Sequence, residues 1–109
     1  MKIDSGIFEV DDWDGVAPTT HPGETGVATW RTVEQGNLRV RRVDYSPGYL
    51  ADHWCSRGHV VLVLSGAIET ELRDGRRFVT RAGQSYRVSE GAAPHRSSTR
   101  EGARLFIVD

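Results

Sequence analysis

Four side chains in this sequence could bind a transition metal: His53, Cys55, His59 and His95. Imidazole nitrogen and thiolate sulfur are good donors for such ions. His53 and Cys55 are two residues apart, so on a strand both side chains leave the same face. Ser56-Arg57-Gly58 can turn the chain and return His59, at the start of the next strand, to the first pair. His95 follows Pro94 and a run of small residues, Gly91-Ala92-Ala93. The fourth histidine, His21, lies in a proline-rich stretch and reads as surface.

The elements that must position these donors are strands. Val27 to Val33, Leu38 to Tyr45, His59 to Leu64, Ala67 to Leu72 and Arg104 to Val108 are rich in β-branched, aromatic and aliphatic residues. Between them stand turn formers. Asp74-Gly75 signals a two-residue hairpin, Ser65-Gly66 a second reversal, and Pro47-Gly48 a type II turn. No segment sustains a 3.6-residue apolar period, so the chain reads as all-β, a sandwich or small barrel. Residues 1–25 read as an arm with a lead-in strand around Ile7–Val10, and 26–109 as the barrel.

Composition limits the function classes. The chain has 109 residues, with 14 Lys+Arg against 15 Asp+Glu and a net charge of −1. That suits one domain and gives no electrostatic case for nucleic acid. No apolar run is long enough to cross a bilayer as a helix, and the start shows no secretory signal, so a cytoplasmic location is expected. A single cysteine excludes an intrachain disulfide.

The segment from Gly48 through His53-x-Cys55 and His59 to Gly66, with Gly83, Gly91, Pro94 and His95 further on, resembles the two motifs of the cupin superfamily. Asp52-His53-Trp54-Cys55 is similar to the Asp-His-x-Cys signature of some small bacterial cupins. The likeness spans Leu38 to Val108 and leaves the first 25 residues outside it. It implies a single-domain double-stranded β-helix, a jelly-roll barrel, that forms a homodimer. Carried over position by position, it implies a metal shell of His53, Cys55, His59 and His95. Here Cys55 replaces the usual second His, and His59 the usual Glu.

The cysteine decides the chemistry. If all four ligate, the site is a closed tetrahedral one that suits zinc in a structural or sensory role. Without Cys55, the three histidines leave open positions suited to iron, nickel, manganese or catalytic zinc. Two function classes follow: a metal-dependent enzyme of oxygenase or isomerase type acting on a small polar molecule, or a non-catalytic binding or sensing module. Tyr45, Tyr86 and Cys55 are the acid–base candidates. Trp30, Tyr45, Trp54 and Tyr86 are expected to fill the barrel, and Asp52 to point away from the ligand face. Arg42 and Arg96 could meet an anionic substrate if they turn inward.

Overall fold

A computed structural model describes residues 1–109. After a single 3-10 turn, Trp13–Gly15, come eight strands. They are β1 (Pro18–Pro22), β2 (Val27–Gln35), β3 (Leu38–Tyr45), β4 (His59–Leu72), β5 (Arg77–Arg81), β6 (Ser85–Val88), β7 (His95–Ser98) and β8 (Ala103–Val108). All pairings are antiparallel. One sheet runs β1-β2-β3-β8-β4-β6, and in the other β4 lies between β5 and β7. The fold is an all-β jelly-roll barrel in which β4 belongs to both walls.

The strand β4 departs most from expectation. Ser65-Gly66 does not reverse the chain, and the two expected strands are one, continuous from His59 to Leu72. The register against β8 shifts between Val63 and Ser65, which marks a bulge. One extra residue flips the side-chain alternation. Before the bulge Val61 and Val63 are buried, and beyond it Ile68 and Thr70 are. Gly66 sits at φ 74°, and a Cβ there would meet the Gly102 carbonyl oxygen at 2.2 Å. Glycine is required on both counts.

The other turns follow their sequence signals. Ser46 carbonyl accepts from the Tyr49 amide at 3.1 Å, with Pro47 next and Gly48 at φ 80°, a type II turn. At Asp74-Gly75 only the glycine has positive φ. The Leu72 carbonyl accepts from the Gly75 amide, so this hairpin is a type I turn closed by a left-handed glycine rather than a two-residue loop.

The core is small: Ala28, Val43, Val61, Val63, Ile68 and Leu105 are its most buried members. Along β3, β8 and β4 the inward positions change from apolar to polar at the same end of the sheet. Val43, Leu105 and Val63 give way to Arg41, Ile107 and Val61. Beyond those come Arg39, Asp109 and His59.

The N-terminal arm differs from expectation as well. Ile7–Val10 forms no strand, and Ile7, Phe8 and Val10 are exposed. The strand in this region is β1, which pairs with β2 from Pro18↔Arg31 to Pro22↔Val27. Its prolines are tolerated because β1 is an edge strand, where missing donors cost nothing within the ladder. His21 is half-buried rather than free on the surface; its ring stacks on Trp30 at 3.8 Å and its Nε2 lies 2.8 Å from Thr19 Oγ1.

The bulge yields a direct test. Gly66→Ala is expected to destabilise the barrel by about 2 kcal/mol or more in chemical denaturation, since the methyl group meets backbone. Gly75→Ala, where the space is open, should cost only the left-handed backbone penalty of about 1–2 kcal/mol.

Candidate metal centre

Three of the four expected donors meet at the polar end of the barrel. One ligand atom each from Cys55, His59 and His95 lies within 4.8 Å of the others. Their placement follows from the strand register. His59 continues the inward row of Val61 and Val63 on β4. His95 begins β7 on the opposite wall and pairs with Leu72, beyond the bulge, so it faces back across the barrel. Cys55 joins His95 through an isolated antiparallel bridge, its amide donating to the His95 carbonyl at 2.7 Å and its carbonyl accepting from the His95 amide at 2.9 Å.

His53 is not drawn in. Residues 52–53 form a bend rather than a strand, so two-residue spacing does not carry His53 to the face of Cys55. Its side chain is 72% exposed at the cavity rim, with Nδ1 2.6 Å from Asp52 Oδ1. Asp52 is exposed, lies outside the donor cluster and the cavity lining, and pairs with His53 at the surface. Trp54 lies outside the barrel, its ring covered by Arg96 at 4.8 Å and Arg73 at 5.5 Å. Alternation, broken here, could not have placed it.

The imidazole geometry suits a cation. The Nε2 atoms of His59 and His95 face each other at 3.0 Å. His95 Nδ1 lies 2.7 Å from the Ala93 carbonyl, which can only accept, so that nitrogen carries the proton and the neutral ring offers a lone pair at Nε2. Metal-binding histidines commonly donate their other ring N–H to a carbonyl in this way, which fixes the tautomer and the ring's orientation. His59 Nδ1 is buried without a hydrogen-bond partner and lies 3.8 Å from Asp109 Oδ2. A cation between the Nε2 atoms would leave His59 Nδ1 protonated and turned toward that carboxylate. The donor set and its tautomers therefore fit a divalent metal.

Electrostatics agree. Burial, and then the neighbouring His95, push the His59 pKa down to about 4, so the ring is neutral at physiological pH. Hydrogen bonding to His95 draws the Cys55 thiol below its usual range, toward the thiolate that binds metal. The same contact raises His95. Tyr86, on β6, places its hydroxyl 3.4 Å from His59 Nε2, and burial pushes its pKa up to about 12. It is a protonated donor at the edge of the donor set. Tyr45 stacks on Tyr49 at 4.2 Å, and burial raises its pKa as well.

The cluster opens into a cavity of about 280 Å³, whose lining includes Arg39, Arg41, Arg57 and Tyr86. Of the two expected arginines, Arg42 is absent from the lining and pairs with Asp14 at 3.2 Å, while Arg96 is among the lining residues and pairs with Glu71 at 3.4 Å. Arg39 and Arg41 share the inward parity of Val43, and both bind Asp109. Sequence reasoning missed Asp109, although Leu105 and Ile107 fix its parity. Its side chain is 1% exposed, its carboxylate taking Arg39 Nε and Nη2 at 2.8 Å each and Arg41 Nη2 at 3.2 Å. Burial alone would raise its pKa, but Arg39 and Arg41 together hold it below the usual carboxylate range.

Two outcomes follow for the metal-free protein. The folded-state pKa of His59 lies below its unfolded value near 6.5, so its contribution is whole above that pH. It is lost as pH falls toward 4. The urea midpoint of the wild type should therefore drop more between pH 7 and pH 4 than that of His59→Gln. Asp109→Asn, which strips the counter-charge from two arginines, should cost about 3 kcal/mol at neutral pH in the same assay.

No protein-family model and no curated sequence matches the chain, but solved structures do match its fold. An RmlC-like cupin from Shewanella frigidimarina superposes with a TM-score of 0.74 at 15% identity, covering 94% of this chain and 89% of that one. The Cnp3 cupin domain of Schizosaccharomyces pombe gives 0.72 at 14% identity, over 89% and 69% of the two chains. A sugar phosphate isomerase of the cupin superfamily from Silicibacter pomeroyi gives 0.69 at 17% identity, over 89% and 72%. No helix of the structure is long and apolar enough to cross a membrane. With its β4-spanned double-walled barrel and the donors at one end, the chain has the fold of a small cupin.

Proposed function

We propose that this chain binds one divalent transition metal through Cys55, His59 and His95, and that the site acts on a small polar molecule admitted by the cavity. The observation that carries this reading is the convergence of two imidazole Nε2 atoms at 3.0 Å beside a thiol, at the wall of an open cavity. A thiolate with two neutral imidazoles favours zinc, which takes nitrogen and sulfur donors and keeps an open position when three protein groups bind it. Such an ion supplies Lewis acidity.

The residues around it divide the remaining work. Asp109 stands 3.8 Å from His59 Nδ1 and would face that proton in the metal-bound tautomer. Tyr86 offers a hydroxyl proton beside the donor set. Cys55 and His95 hold each other through paired backbone bonds. Zinc has no redox chemistry, so the isomerase class is favoured over the oxygenase class. A cupin neighbour is itself described as a sugar phosphate isomerase. The cavity favours catalysis over a purely structural metal, because a closed structural site leaves no position for substrate. His53, at the rim, is placed to meet an entering molecule rather than the ion.

Protein purified without a histidine tag should carry close to one equivalent of metal per chain by elemental analysis. Cys55→Ala, His59→Ala and His95→Ala should each lower occupancy at least tenfold, while His53→Ala and His21→Ala should keep it. Cobalt substitution should give a thiolate-to-cobalt charge-transfer band that Cys55→Ala abolishes. Absence of metal after reconstitution would sink the reading; loss in His53→Ala equal to that in His59→Ala would restore the four-donor shell.

A further inference from the structure

Three guanidinium groups converge on a single carboxylate at the cavity wall. Arg39 satisfies both oxygens of Asp109, Arg41 reaches Oδ2 at 3.2 Å, and Arg57 Nε lies 3.8 Å from the same oxygen. Asp109 is the one carboxylate that all three guanidinium groups approach. Arg96 is paired with Glu71, and His59 is neutral.

Arg41 is the most unusual of the three. Its side chain is 7% exposed, and its Nε is buried without a hydrogen-bond partner. Its guanidinium lies 4.4 Å from the Trp30 ring centroid, which holds the plane in place. Burial, and then the adjacent Arg39, pull its pKa down. Arg57 is half-exposed at the mouth, on the loop that carries Cys55. A buried cation and a rim cation line the same cavity.

We propose that Arg41 and Arg57, with Arg39 behind them, form an oxyanion-recognition site on the wall of the metal cavity, and that its ligand is a small molecule carrying a carboxylate or phosphate group. The inference rests on the reading of this cavity as a small-molecule site and supplies the ligand's chemical class. Planar guanidinium groups pair with either oxyanion through two parallel bonds. A volume of about 280 Å³ limits the ligand to a compact metabolite. Bound there, the anion would lie among Arg41, Arg57 and the donor cluster, which line one cavity.

The test is calorimetric titration of inorganic phosphate, and separately of propionate, into metal-free and zinc-loaded protein. Zinc content is measured on the same samples. Wild type should bind at least one of the two anions, and the stronger identifies the group. Arg57→Gln, at the exposed rim, should raise Kd about tenfold, and Arg41→Lys should weaken binding further. The outward Arg42→Gln should bind as wild type does. Binding of neither anion, or equal binding by wild type, Arg57→Gln and Arg41→Lys, overturns the proposal. Zinc loading without anion binding defeats this inference and spares the metal centre. Arginine-dependent anion binding without zinc loading does the reverse.

Discussion

Strand β4 has to face inward on two walls at once, and the bulge between Val63 and Ser65 is what permits it. A regular strand of that length would present His59 and Leu72 to opposite faces, since the alternation of side chains has period two. With one residue inserted, His59 looks into the barrel from one sheet, and Leu72 sits beside His95 on the other. The meeting of the two imidazoles follows from that single change of phase. Just beyond the bulge, Gly66 lets the strand pass close to β8, because the Gly102 backbone lies where any side chain would go.

Around the imidazoles, buried charge is arranged in a row across three neighbouring strands. Arg39 and Asp109 exchange backbone hydrogen bonds at 2.7 and 2.9 Å, and Asp109 in turn faces His59. A buried carboxylate is costly unless its oxygens are occupied. Here Arg39 grips both oxygens, which frees Arg41 from serving as the sole counter-ion. The result is an inner face that is apolar in its lower part and strongly polar at one end. Such a gradient separates the stability of the barrel from the chemistry at its mouth.

Much of this was legible in the residues. The apolar strands and the Pro47-Gly48 turn pointed to an all-β sandwich or barrel, and the resemblance to the cupin motifs carried Cys55, His59 and His95, together with His53, to one site. What escaped was phase. Ser65-Gly66 has the composition of a reversal, and only the pairing of β4 with both β8 and β5 distinguishes a bulge from a turn. His53 was carried to the cluster by a strand alternation that the bend at 52–53 does not obey. Arg41 and Asp109 lay within reach, because Val43, Leu105 and Ile107 set their parity. Their charge argued for the outside, and a pair of buried opposite charges shows itself only when both strands are in register.

Trp54 extends the site beyond the barrel. It is adjacent in the chain to Cys55 and is held from outside by Arg73 and Arg96. Arg73 belongs to the hairpin after β4, and its amide donates to the Pro94 carbonyl, one residue before His95. The hairpin at Asp74-Gly75 is therefore an outer buttress for two of the three donors. Sequence drift in a surface turn of this kind would normally be silent. In this barrel it is mechanically joined to the sulfur and nitrogen atoms inside, so the freedom of that turn to vary is set by the tolerance of the donor geometry.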